Sequence, residues 1–197
     1  MQTTVSHLDW PWRLDELSAG ERDELQGLGM LSRTGAVFPC DERLGTNHAP
    51  AVRPMRAAAV LNEAFAYLPT PSSFSRGLRV ELAGASLLLI SGTASVDERG
   101  ATTHPGDLRA QCWRTYRNIT ELLAAEGATW RHIVRCTCYL RDIERDYEEF
   151  NKVRTTFFRW LGLDPLPAST GIQARLCRSD LLIEIEALAV LPKEHGA

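Results

Sequence analysis

Over residues 73–193 the apolar and polar positions follow two alternating periods. A period of two runs through 78–82 and 86–95, with Ala83-Gly84-Ala85 between them, and predicts a strand pair joined by a tight turn. Asp97-Glu98-Arg99-Gly100 reads as a loop. Leu108, Cys112, Tyr116, Ile119 and Leu123 then recur at steps of three and four, which predicts a helix over 107–126 that Gly127 stops. A buried strand is expected over 133–140. A second helix follows over 147–161, with Tyr147, Phe150, Val153, Phe157 and Leu161 on its inner face and Gly162 at its end. Closing strands are predicted over 169–176 and 181–191. The order β-β-α-β-α-β-β describes an α+β protein in which two helices cover one face of a mixed sheet. The other face, for which Val134, Ile183 and Ile185 or the alternate residues on the same strands are candidates, needs cover too. A bare apolar sheet is unfavourable in water, so an oligomer is expected.

Residues 1–72 read differently from 73–193 and are taken as an N-terminal extension. They are irregular and rich in Pro, Gly and Arg. One short helix is predicted after Ser18, where Ser18 and Glu21 have the spacing of a capping box. Another is predicted over 56–67, with Val60, Leu61 and Phe65 to one side, before Pro69 and Pro71 break the chain. Trp10 and Trp12 flank Pro11, which stiffens the chain there; these rings are expected to dock on a subunit surface.

Composition narrows the classes. A hydrophobic fraction of 44% over 197 residues is enough to bury a core. The net charge of −3 carries no basic excess for nucleic acid, and no basic amphipathic helix marks a membrane surface. Leu87-Leu88-Leu89-Ile90 is far too short to span a bilayer. The acidic N-terminus, with Asp9, Asp15 and Glu16, does not read as a secretory signal, so a cytoplasmic protein is expected. Five cysteines, Cys40, Cys112, Cys136, Cys138 and Cys177, match no zinc or disulfide spacing and read as buried thiols; no metal and no cofactor is expected. His7, His48, His104, His132 and His195 are scattered, and the five tryptophans read as packing residues.

Several stretches, in order, resemble one known family. They are Phe74-Ser75-Arg76, Ile90-Ser91-Gly92-Thr93, Gln111 and Asn118 seven apart, Ile133-Val134-Arg135-Cys136-Thr137, Leu140-Arg141-Asp142, Phe150-Asn151, Phe157-Phe158 and Ile183-Glu184-Ile185-Glu186-Ala187. Together they resemble the Rid family, the YjgF/UK114 type of reactive-intermediate deaminases, over about 73–191. The resemblance implies a chorismate-mutase-like fold, a six-stranded mixed sheet backed by two helices. It also implies a homotrimer whose sheets close an inner barrel, with small-molecule clefts between neighbouring subunits. The residue pattern above yields only five of those six strands.

Family deaminases hydrolyse enamine and imine acids. By the resemblance, Glu184 matches the catalytic glutamate that positions water, and Phe74 matches an aromatic at the cleft. Ser91-Gly92-Thr93 matches a Ser-Gly-Gln stretch lining it, and Ser169, Thr170, Gly171 and Gln173 would line it from the penultimate strand. The arginine that grips the substrate carboxylate falls, counted back from Glu184 without gaps, at Ser169. A serine cannot act as a bidentate cation. Arg175 has the same strand parity but lies about 20 Å along the strand. Arg76 and His104 are therefore the candidate replacements.

Three functions follow as expectations: an imine or enamine hydrolase using Glu184; a chorismatase-like hydrolase, since Ser91-Gly92-Thr93-Ala94-Ser95 looks like the chorismatase stretch; or a non-catalytic ligand-binding or regulatory trimer. RNA cleavage, attributed to some relatives under the name endoribonuclease L-PSP, conflicts with the acidic balance.

Overall fold

A computed structural model describes residues 13–34, 36, 51–67 and 71–193. The chain divides into two compact units, 1–49 and 50–197. In the first, α1 (Ala19–Gly27) begins as its sequence predicts: Ser18 Oγ accepts the Glu21 N–H at 3.2 Å, and the Glu21 carboxylate accepts the Ser18 N–H at 2.7 Å. Trp10 and Trp12 lie outside the described residues.

The second unit is a six-stranded sheet covered on one face by two helices. Its strands are β1 (Val52–Pro54), β2 (Gly77–Glu81), β3 (Ala85–Ala94), β4 (Ile133–Leu140), β5 (Ala168–Gln173) and β6 (Ile183–Pro192). Across the sheet they run β1-β2-β3-β6-β4-β5, with β4 and β5 parallel and all other neighbours antiparallel. The helices are α2 (Leu108–Ala124) and α3 (Ile143–Trp160). Asp107 and Asp142 cap them, each accepting an N–H three residues on, and Gly127 ends the α2 turn at φ 69°.

The core lies between helices and sheet. Leu88, Ile90, Cys136, Cys138, Leu140, Ile183 and Ile185 meet Tyr116, Ile119, Leu122 and Leu123 of α2 and Phe150, Val153 and Phe157 of α3. Each large apolar side chain fully buried there is worth about 1.5–3 kcal/mol. The polar pair on α2 fastens this packing. Gln111 donates to the carbonyls of His104 and Asp180 and accepts the Leu182 N–H, while Asn118 donates to the carbonyls of Ala94 and Val96 at 3.0 Å. Cys112 and Cys136 are buried, and burial pushes both thiols up to about 12. Cys138 is buried as well, Cys177 is exposed, and Cys40 lies outside the described residues.

The structure corrects several expectations. The sixth strand is β1, inside the stretch read as an extension. Its three residues are exposed on both faces and carry no alternation to read. Ion pairs tie it down: Arg53 grips the buried Glu126 carboxylate, 2.9 Å on one arm, and Arg79 of β2 reaches the same group at 3.4 Å. The sheet-bearing unit therefore begins near residue 50, and the boundary placed at 72/73 falls inside it. The helix expected over 56–67 does not form. Ala57 pairs with Leu61 across a tight turn, and only a 3-10 turn, Ala64–Ala66, is helical. Val60, Leu61, Glu63, Ala64 and Tyr67 are all buried, a succession that does not follow one helical stripe. Ile183 and Ile185 belong to the helix-covered core, while Val134 is exposed. Trp130 packs inside, but Trp160 is 78% exposed on the last turn of α3, stacked on Phe157. Tyr147 is half-exposed beside β5, not on the inner face.

Candidate functional site

Along β6 the odd positions, from Ile183 to Ala189, are buried under the helices, and Glu184, Glu186, Leu188 and Val190 project to the open face. Opposite them, β3 carries a bulge. Ile90 pairs with Ala187 but Thr93 pairs with Ile185, so three steps on β3 match two on β6. The bulge sets Gly92 against Glu184. Ser91 Oγ donates to the Ser75 carbonyl at 2.8 Å, which fixes the loop before β2. Gly92 makes room for the carboxylate: a Cβ at that position would lie 1.9 Å from Glu184 Oε1. Thr93 is fully buried, with its hydroxyl donating to the Ser91 carbonyl at 2.9 Å, so its side chain holds the bulge.

Glu184 is pulled in opposite directions. Burial raises its pKa and the neighbouring Glu186 adds to the rise; the Arg76 guanidinium opposes them, and the net shift is upward. Arg76 is 7% exposed. Its guanidinium lies 4.9 Å from the Tyr67 ring centroid and 5.2 Å from that of Phe74, and its Nε donates to the Asn62 carbonyl at 3.0 Å. Its backbone N–H donates to the Glu63 carboxylate at 3.1 Å. Arg76 is thus held rigidly within electrostatic reach of Glu184. His104 is exposed, with φ 58°, and its backbone carbonyl receives Gln111.

Beside this pair the open face hollows into a groove of about 590 Å³, floored by Leu89, Thr137 and Leu188 and edged by Phe74, Ser91 and Glu186. Tyr139, opposite Glu184 on β4, has its phenol pKa raised by burial and by Glu186 and Glu184.

The residues of β5 divide between the two faces. Thr170 lies on the open side, where Arg135 donates to its hydroxyl at 3.1 Å. Ser169, Gly171 and Gln173 lie on the helix side. Ser169 Oγ accepts from Arg154 Nη1 at 3.0 Å, Gly171 sits beside Tyr147, and Gln173 Oε1 accepts the Ile143 N–H at 3.1 Å at the start of α3. The structure therefore brings Gly92 against Glu184 with Arg76 in electrostatic reach, and gathers Phe74 and Ser91 at the edge of the adjoining groove. It places Ser169, Gly171 and Gln173 on the opposite face of the sheet, two strands away. Among the described residues, no three His, Cys, Asp or Glu side chains gather as metal ligands, and no helix is long and apolar enough to cross a membrane.

Sequence reading missed Tyr139 and Arg154. Tyr139 faces opposite to its strand neighbours Cys138 and Leu140, and that alternation was available as a signal. Arg154 lies three and four residues after Asn151 and Phe150, a spacing that puts it on their side of α3.

A mixed sheet in this strand order with two helices on one face is the fold of the YjgF-like proteins. The E. coli YjgF gene product has this fold, at TM-score 0.56 and 24% identity over 70% of this chain and 98% of that one. The family model "Endoribonuclease L-PSP" matches residues 69–191. The chain belongs to this family, the Rid or YjgF family. It is 29% identical to a 2-iminobutanoate/2-iminopropanoate deaminase of Rattus norvegicus over 52% of this chain and 72% of the relative. It is 32% identical to a chorismatase of Streptomyces rapamycinicus over 62% of this chain and 38% of that longer protein.

Proposed function

We propose that the protein is a Rid-type hydrolase that converts a small 2-imino or enamine acid to the 2-oxo acid and ammonia, in clefts between copies of the chain in a homotrimer. The observation that carries this reading is the Glu184 carboxylate, seated against Gly92 with a raised pKa and Arg76 nearby. In hydrolysis of a protonated imine, water adds to the C=N carbon as a base takes one of its protons; that proton passes to the amine nitrogen, and the C–N bond breaks as the hydroxyl forms the C=O and gives its own proton back to the base, releasing ammonia. A carboxyl with its pKa moved toward neutrality suits these transfers. Glu184 takes and returns the proton, and Tyr139 and Ser91 are polar neighbours for the intermediate's hydroxyl. The apolar groove supports burial of the open face against sister copies. The separation of Ser169 and Glu184 onto opposite faces supports a cleft assembled from two chains.

Ammonia release from freshly generated 2-aminoacrylate is the test. The wild-type protein accelerates it and Glu184→Gln does not; a Glu184→Gln protein as active as wild type refutes the role.

The similarity to a chorismatase favours a second reading, in which Glu184 protonates an enol ether. Incubation with chorismate followed by chromatography of the products decides it. Ligand-induced thermal shifts without turnover of either substrate would mark a binding protein.

A further inference from the structure

By the resemblance the family's carboxylate-gripping arginine falls at Ser169, and a guanidinium from elsewhere in the chain lies against that residue. It comes from α3. Arg154 lies with its guanidinium carbon 5.0 Å from the Phe150 ring centroid, donates from Nη1 to Ser169 Oγ at 3.0 Å, and donates from Nη2 to the Asn151 side-chain carbonyl. A ring and two hydrogen bonds fix the group in one orientation, which lowers the entropy cost of binding an anion.

Among the described residues no carboxylate pairs with its charge. On the same helix Arg145 pairs with Asp146 and Lys152 pairs with Glu148 and Glu149, whereas Arg154 bonds only the neutral acceptors Ser169 and Asn151. Two of its five N–H groups are used, so three remain for a ligand. The site is open, because every residue of β5 is exposed and Gly171 presents no side chain beside it. The small side chain of Ser169 leaves the guanidinium its room, and its hydroxyl accepts one of the N–H groups. A strand arginine there would place a second cation against the first.

We propose that Arg154 carries the carboxylate-binding role in this chain, supplying from α3 the guanidinium that β5 lacks at Ser169, and that the ligand it selects is the carboxylate of a 2-oxo or 2-imino acid. This rests on the hydrolase reading above for the identity of the ligand. Arg154 holds the carboxylate as a bidentate fork, and Glu184, contributed by a neighbouring copy, acts on the adjacent carbon.

The test is titration calorimetry of the full-length protein with 2-oxobutanoate, a stable 2-oxo acid, and with 2-oxobutanamide, its neutral amide. Arg154→Gln is expected to weaken 2-oxobutanoate binding by about 10- to 100-fold, as loss of a charge-assisted hydrogen bond does, and to leave amide binding unchanged. Arg154→Lys restores only part of the affinity, because an ammonium cannot form the fork. The double substitution Arg154→Gln with Ser169→Arg, which returns the cation to the strand, restores it. Glu184→Gln retains 2-oxobutanoate binding while losing ammonia release, so failure of the catalytic reading shows in turnover and failure of this inference shows in affinity. Arg154→Gln binding 2-oxobutanoate as tightly as wild type overturns the assignment, as does wild-type protein that binds the acid no better than the amide.

Discussion

The two faces of the sheet are built from the same strands and treat ionisable groups in opposite ways. Under the helices, burial pushes the Cys112 and Cys136 thiols to about 12, far above physiological pH, so both stay protonated. On the open face burial also raises Glu184, but a carboxyl starts low, and Arg76 restrains the rise. The same desolvation that silences a thiol moves a carboxyl toward the range where it exchanges protons. One strand, β6, faces both environments in alternate residues: Ile183 and Ile185 are core, and Glu184, the proposed acid–base group, is on the open face. What separates the core from the proposed site here is therefore side-chain parity, one residue at a time.

That contrast can be broken from either side, and the covered face should give the largest effect. Leu140→Ala removes a fully buried side chain between β4 and the helices and is expected to cost about 2–5 kcal/mol of stability in chemical denaturation. On the open face, Gly92→Ala places a methyl where Glu184 Oε1 now sits. Displacing that carboxylate by about 1 Å is expected to lower kcat/KM for the imine roughly 100-fold, with a much smaller change in melting temperature. An equal loss of stability and activity would mean that Gly92 serves the fold alone.

The smallest effect concerns pH. Because the folded-state pKa of Glu184 is raised, its ionisation opposes folding: its contribution is most favourable below the unfolded value of about 4.3 and is lost as pH rises through the folded value. Glu184→Gln should therefore raise the melting temperature slightly at pH 7, and the gain should vanish near pH 4. In the wild type the acid limb of kcat/KM should lie above the ordinary glutamate range, since the free-enzyme base must be ionised. A melting temperature lowered by Glu184→Gln at pH 7 would place that carboxyl in a stabilising network instead.

Much of the fold was legible because its elements obey clear periods. The apolar steps of α2 from Leu108 to Leu123, and the strand over 133–140, fix two of the sheet's layers. β1 was not legible, since its three exposed residues carry no pattern and are held through Arg53 by Glu126, which is distant in sequence and is also reached by Arg79. The stretch over 56–67 misled because Val60, Leu61 and Phe65 mimic helical spacing, while the turn at Ala57–Leu61 is set by packing. Of the site, Glu184 and its partner Arg76 were readable as types in a motif, but their proximity was not. Arg154 escaped because the compensation crosses from one element to another: a strand position loses the cation and a helix position supplies it. Only the structure sets Arg154 beside Ser169.

In the proposed cleft the acid and the cation arrive from opposite faces of the sheets of two different chains. Glu184→Gln and Arg154→Gln proteins, each inactive or strongly impaired alone, are unfolded together, refolded as a mixture and assayed for ammonia release. If each cleft takes Glu184 from one copy and Arg154 from the next, about a quarter of the clefts in a one-to-one mixture recover both groups, and activity returns to about that fraction of wild type. Activity no higher than the mean of the two separate variants would place both residues in the same chain's site, or in none, and would contradict the account.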